Sequence, residues 1–308
     1  MYTDVIIGFD GSDSGRDALA LGRRLARSIA VATTVVCVHE YQALTADVEM
    51  DAAVELSWRR HAERVLDEAR ATLDGVHDVT YRAKAETSVA RALHAAALEA
   101  AAAVIVVGST DREGLGRLLP GSTAEQVIHG APCAVAIAPP RYATREQRPR
   151  AGVVGVAVDG GRETQRIARL GARIARGAHA KLRLLAVAET YDSVGVPVTR
   201  LSSPSARDAS RTSARTGLDR AVVAAGGGVE VERRLLEGAP ATRLAAESND
   251  LDLLIVGSRG YGPLRRIVLG SVTGAVLRDA ACPVLAVPRG TPEAVDASVA
   301  AIARTARR

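Results

Sequence analysis

In LDLLIVGSRGYGPLRRIVLGSVT, residues 251–273, glycines at 257, 260 and 270 punctuate the segment after an apolar run, and the hydroxyls of Ser271 and Thr273 follow the last of them. Glycine lets backbone amides come close to a ligand and adopts positive φ at little cost. If a helix starts at Gly270-Ser271, its first amides and the two hydroxyls form a site that attracts phosphate. The same glycines also suit a plain turn between a strand and a helix.

A carboxylate narrows the choice. Asp159 follows an apolar run, Val153 to Val158, in the stretch VGVAVDGG. In an open parallel sheet, ligands sit at the carboxyl ends of strands, where the strand order reverses. The end of this run and the Gly257 loop should therefore meet, with Asp159 accepting ribose hydroxyls while loop amides hold phosphates. An isolated Asp-Gly is more simply an Asx turn or a helix cap; its pairing with the glycine loop favours nucleotide.

These residues need elements to position them, and the elements are written twice. VIIGFDGS at 5–12 overlays VGVAVDGG at 154–161. At one common separation Asp10 pairs with Asp159, Gly108 with Gly257, Gly121-Ser122 with Gly270-Ser271, and Cys133 with Cys282. A duplication accounts for all four, with a compensated length difference where Glu86-Thr87-Ser88 meets Glu237-Gly238-Ala239 slightly out of step. Within each copy, short apolar runs such as Val104 to Val107 read as strands buried on both faces. Stripes such as Ala18, Leu21, Leu25 and Ile29 read as helices, the first capped by Ser12 or Ser14. The order β-α-β-α-β-α-β-α-β predicts an α/β fold with parallel strands and right-handed crossovers. The divisions expected are a first domain at 1–140, an Arg/Pro-rich linker at 141–151, a second domain at 152–290 and a helical tail at 291–308.

Composition sets the remaining bounds. A chain of 308 residues suits two cores. With an aromatic share of 3%, those cores must be filled by Ala, Val and Leu. Residues 141–150 hold four arginines against Glu146 alone and so supply +3 of the formal charge of +5. The rest is nearly balanced, and without a broad basic face or aromatic platforms nucleic acid is not an expected partner. No apolar run is long enough to span a membrane and no secretory leader pattern opens the chain, so a cytoplasmic protein is expected. Cys37, Cys133 and Cys282 are widely spaced and read as small buried hydrophobes. Neither GxxxxGK[ST] nor a GxGxxG after the first strand occurs, and the six histidines form no pair at metal-binding spacing.

The spacing Gly-x2-Gly-x9-Gly-Ser, the strand ending in Asp-Gly and the Ala-Pro-Cys or Cys-Pro lead into the last strand resemble the universal stress protein family in a tandem form covering nearly the whole chain. The resemblance implies two Rossmann-like domains, each a five-stranded parallel sheet of order 3-2-1-4-5, able to pack as an intrachain pseudo-dimer through their fifth strands. Association into a homodimer is left open. It also implies ATP as ligand: Asp159 at the ribose, the backbone around Val187 at adenine, and Gly257, Gly260, Gly270, Ser271, Val272 and Thr273 around the phosphates. In the loop itself, Arg259 either offsets phosphate charge or is solvated, and Mg²⁺ is the expected companion of ATP, without a dedicated ligand cluster in the sequence.

The first copy departs from this pattern. Asp10, Val38, Gly108, Gly121, Ser122 and Thr123 fit, but Asp111 stands where Gly260 stands and Ala124 where Thr273 stands. A carboxylate facing phosphate repels it at a cost on the order of 1 kcal/mol or more in a partly dry site. The first copy is thus a weaker or a degenerate nucleotide site. The expected function is an ATP-binding, nucleotide-responsive stress regulator; the rivals are a slow ATPase or phosphotransferase and a ligand-free interaction scaffold. No general base or arginine finger beside the phosphates is legible, which disfavours catalysis.

Overall fold

The computed structural model describes residues 4–29, 32–39, 48–109, 122–145, 152–161, 163–189, 204–260, 267–268 and 270–288. The expected tail at 291–308 lies outside them, as do Gly121 and Asp111. The first half runs β1 (Asp4–Gly8), α1 (Asp13–Ile29), β2 (Ala32–His39), α2 (Val48–Thr72), β3 (Val79–Ala85), α3 (Val89–Glu99), β4 (Ala102–Gly108), α4 (Ser122–Ile128) and β5 (Ala134–Ala138). The second half repeats it with β6 (Val153–Val158), α5 (Thr164–Gly177), β7 (Lys181–Ala188), α6 (Pro204–Ala225), β8 (Val231–Glu237), α7 (Pro240–Glu247), β9 (Leu253–Gly257), α8 (Ser271–Asp279) and β12 (Val284–Val287). Between β9 and α8 the loop folds back on itself as two short antiparallel strands, β10 (Arg259–Gly260) and β11 (Ile267–Val268).

Each half has the strand order 3-2-1-4-5, but the two sheets are one. The ten-stranded order is β3-β2-β1-β4-β5-β12-β9-β6-β7-β8. Every neighbouring pair is parallel except β5 with β12, which is antiparallel with Val135 opposite Ala286, Ala136 opposite Leu285 and Ile137 opposite Val284. The apolar runs are buried on both faces, as two-sided coverage by helices demands. One face packs α1, α2, α5 and α6, with Leu21, Leu25, Leu66, Ala172 and Leu218 in its core. The other packs α3, α4, α7 and α8, with Leu93, Ile128, Leu244 and Leu277. Both open edges, β3 and β8, carry charge in Arg82, Lys84, Arg233 and Arg234, which discourages edge-to-edge pairing.

Three details differ from, or refine, the pattern read from sequence. Helix α2 starts at Val48, well before its first clear apolar stripe. The compensated length difference sits at β3 and β8: Thr33 N donates to Asp78 O, and the corresponding Leu182 N to Glu230 O. The three cysteines are all buried, and burial pushes the thiols up to about 11 for Cys37 and about 12 for Cys133 and Cys282. They are therefore protonated and unreactive at neutral pH.

Helices sit close on the sheet because a glycine faces it. A Cβ at Gly22 of α1 would lie 2.3 Å from Ile7 Cδ1, and one at Gly171 of α5 would lie 2.3 Å from Val156 Cγ2. These are equivalent positions of the two halves.

Equivalent positions also hold the chain as it leaves each fifth strand, with opposite charge. Asp17, 3% exposed on α1, accepts the Ala143 amide at 2.7 Å. Arg166, 6% exposed on α5, donates to the Pro288 carbonyl and pairs with Glu163 Oε2 at 2.7 Å. Residues just after β5 are thereby docked: Tyr142 packs on the core and its hydroxyl accepts from Arg24 Nη1 at 3.3 Å.

Gly22→Ala and Gly171→Ala should each lower stability by about 1–3 kcal/mol through overpacking, outweighing the gain in helix propensity of about 1 kcal/mol. Urea unfolding checks this, and a stabilised variant would show the helices free to move outward. Burial raises the Asp17 pKa, with the Ala143 amide opposing. A raised folded-state pKa gives a contribution that is full below the unfolded value and is lost as pH rises through the folded one. Asp17→Asn should therefore gain in stability relative to the parent as pH rises through the carboxylate range, a slope that paired melts at several pH values would reveal.

Candidate functional site

The carboxyl ends of β6, β7 and β9 and the start of α8 enclose a cavity of about 370 Å³. Its walls include Asp159, Val187, Gly257, Gly270, Val272 and Thr273, so six of the expected residues of the second half come together. Ser271 begins α8 and is exposed beside them. Arg259 and Gly260 lie in the folded-back ribbon, paired with Val268 and Ile267.

Asp159 is held by its own turn. Its Oδ1 accepts Gly161 N at 2.9 Å and Thr164 Oγ1 at 3.1 Å, while Gly160 takes φ +75 to bring the chain round. The Asx-turn role and a place in the cavity wall are thus combined in one residue. Helix α6 closes on the same turn: a Cβ at Gly217 would come 2.8 Å from Gly160 Cα. That approach brings Ser210, Ser213 and Ala214 into the wall.

Opposite in character is the α8 terminus. Gly270 is its N-cap without a side chain to satisfy the first-turn amides, so these donors and the helix dipole suit an anion. The loop amide next to Gly257 is spent elsewhere, because Ser258 N donates to Val287 O at 2.8 Å. Thr273, 5% exposed, donates from Oγ1 to Gly257 O at 2.9 Å, tying α8 to the end of β9 and leaving its lone pairs. Between these polar ends the wall is apolar, with Ala157, Val158, Ile167, Leu185 and Val256. Among the described residues no group of His, Cys, Asp or Glu is placed to hold a metal ion, and no helix is long and apolar enough to cross a membrane.

Sequence reasoning missed Thr164, Glu163, Glu189 and the α6 serines. Thr164 follows Asp159 closely enough to be found as a turn hydroxyl. Ser210 and Ser213 had one signal, a glycine four residues beyond Ser213 in a helix, which marks close packing.

The first half is built differently at the same place. Asp10 Oδ1 accepts Ser12 N at 3.0 Å and Ser12 Oγ at 2.5 Å, and Ser12 Oγ in turn accepts Gly15 N at 3.1 Å, capping α1. The hydroxyl on the aspartate thus comes from Ser12 here and from Thr164 there. Gly108 serves packing, since a Cβ on it would lie 1.9 Å from Ser14 O. Val38 is half-buried in β2, and Ser122 and Thr123 open α4. Ala124 is 1% exposed and cannot make the clasp that Thr273 makes.

The model of the universal stress protein family matches residues 1–139 and again 152–288. A universal stress protein of Mycobacterium tuberculosis is 28% identical over 302 residues, spanning 92% of this chain and 99% of that one. Among solved structures, a universal stress protein from Archaeoglobus fulgidus superposes with TM-score 0.67 at 20% identity, covering 93% of this chain and 98% of that chain. A putative universal stress protein from Pseudomonas aeruginosa gives TM-score 0.59 at 15% identity, covering 100% and 98%.

Seating of α6 is the feature most open to test. Gly217→Ala should cost about 1–3 kcal/mol of stability by forcing a Cβ onto the Gly160 backbone; an unchanged urea midpoint would mean that α6 does not close the cavity as tightly as described.

Proposed function

The chain belongs to the universal stress protein family, and from that premise we propose that its second half binds ATP and that the protein acts as a nucleotide-responsive stress regulator. One observation carries the reading: a carboxylate on a rigid turn, Asp159, and the open amides of the α8 terminus line the same cavity, with apolar side chains between them. Ribose hydroxyls suit the first, phosphates the second, and an adenine ring the apolar wall beside the backbone at Val187. Gly270, Ser271, Val272 and Thr273 would surround the phosphates, and the ribbon at Arg259 and Gly260 would lie over them. Mg²⁺ would be held chiefly by phosphate oxygens. In the first half, Asp111 and Ala124 argue for weaker binding.

The divisions 1–140, 141–151, 152–290 and 291–308, and residence in the cytoplasm, belong to the same proposal. Three buried cysteines that form no disulfide fit a reducing compartment.

Isothermal calorimetry on the full chain should show ATP binding that weakens about tenfold in Gly260→Asp, where a carboxylate is brought to the phosphates. Asp159→Ala should weaken it as well. No binding by the parent, or affinity unchanged in both variants, would overturn the proposal.

A further inference from the structure

A second cavity lies between the halves, bounded by α1, the turn after β5, the end of α5 and the loops before β9 and β12; its volume is about 1300 Å³. Its wall carries five arginines, Arg16, Arg23, Arg24, Arg27 and Arg145, against three carboxylates, Glu68, Asp250 and Asp252. Nothing in the nucleotide reading uses them.

Their bonding separates the arginines into two groups. Arg16 is engaged by Glu68 Oε1 at 2.7 Å and Asp13 Oδ1 at 2.9 Å. Arg24 reaches Asp252 Oδ1 at 3.7 Å and the Tyr142 hydroxyl, and Arg145 Nη1 donates to Ala281 O at 2.6 Å. Arg24 and Arg145 brace the junction, and Arg16 ties α1 to α2 within the first half. Arg23 and Arg27 have no carboxylate partner among the described residues, and the Nε of Arg23 is buried with no hydrogen-bond partner there. A buried donor without an acceptor is costly and calls for an explanation such as a bound ion. The carboxylate left over, Asp250, is exposed, where solvent screens it.

Arg23 and Arg27 are one helical turn apart, so their Cβ atoms are about 5–6 Å from each other on one face of α1. Guanidinium groups at that spacing can each take one phosphoryl group of a single ligand, with paired N–H donors on each set of oxygens. The cavity is wider than one phosphate needs and lies at a domain junction, where ligand sites are common.

We propose that this cavity is a second anion site, which binds a small ligand of the diphosphate class through Arg23 and Arg27. Both halves form its wall, so an occupant would couple the angle between them to its own binding. The site is separate from the cavity at Asp159, and either can fail without the other.

Inorganic pyrophosphate is the probe, titrated calorimetrically into the full chain at low ionic strength. The parent should bind it, and Arg23→Gln/Arg27→Gln should lose about tenfold or more in affinity while its affinity for ATP stays that of the parent. Arg27→Gln alone changes an exposed side chain and should lose several-fold, so the test stands even if the double variant does not fold. Absence of binding by the parent at millimolar pyrophosphate, or affinity unchanged by Arg27→Gln, would overturn the proposal. Unchanged affinity would place the pyrophosphate at the α8 terminus instead.

Discussion

The pairing of β5 with β12 is the constraint on which the rest of the molecule depends. Val135, Ala136 and Ile137 on one strand and Val284, Leu285 and Ala286 on the other are at most 4% exposed. In either half alone this strand would be an apolar sheet edge, which invites uncontrolled pairing. Joined, the two edges remove each other, and the edges that remain are the charged β3 and β8. Their antiparallel sense also turns the halves end for end. The carboxyl ends of the strands in one half thus point away from those in the other, and the Asp10 and Asp159 turns lie at opposite ends of one sheet. Packing of α1 against α5 and the ion pair of Arg24 with Asp252 are contacts that this pairing makes possible.

Much of this was legible in the residues. Runs such as Val104 to Val107 and Leu253 to Val256 announce strands because burial on two faces leaves no polar position, and the duplicated landmarks give the order twice. The meeting of Asp159 with Gly257 and Gly270 followed from topology. What stayed hidden depends on partners distant in the chain. Nothing near Asp17 or Arg166 shows that they are buried, because their partners, Ala143 N and Pro288 O, lie more than a hundred positions away. Gly108 reads as a ligand-facing glycine, yet its neighbour is the backbone of Ser14. The early start of α2 was missed because its first turns carry no clean apolar stripe.

The two aspartate turns show how one geometry survives different residues. A hydroxyl on the carboxylate is supplied from two positions after it by Ser12 and from five after it by Thr164. Where the hydroxyl comes from the helix, its first turn is tied to the carboxylate by a side chain; where it comes from the turn, Gly15 must be small, since a Cβ there would lie 2.5 Å from Asp10 Oδ1. The small residue and the hydroxyl have exchanged places, and the carboxylate is oriented in both.

Asp17 and Arg166 carry the divergence to a point that bears on ancestry. Each grips the chain beyond its own fifth strand, one by accepting from an amide, the other by donating to a carbonyl. A guanidinium at the first position would meet the Ala143 amide donor to donor, and a carboxylate at the second would face the Pro288 carbonyl acceptor to acceptor. The two side chains are therefore no longer interchangeable: exchanging Asp17 and Arg166 alone would lose both clasps, although each copy still carries its own clasp with its partner. What began as repetition has become two fastenings of opposite polarity, each matched to its own exit from the sheet.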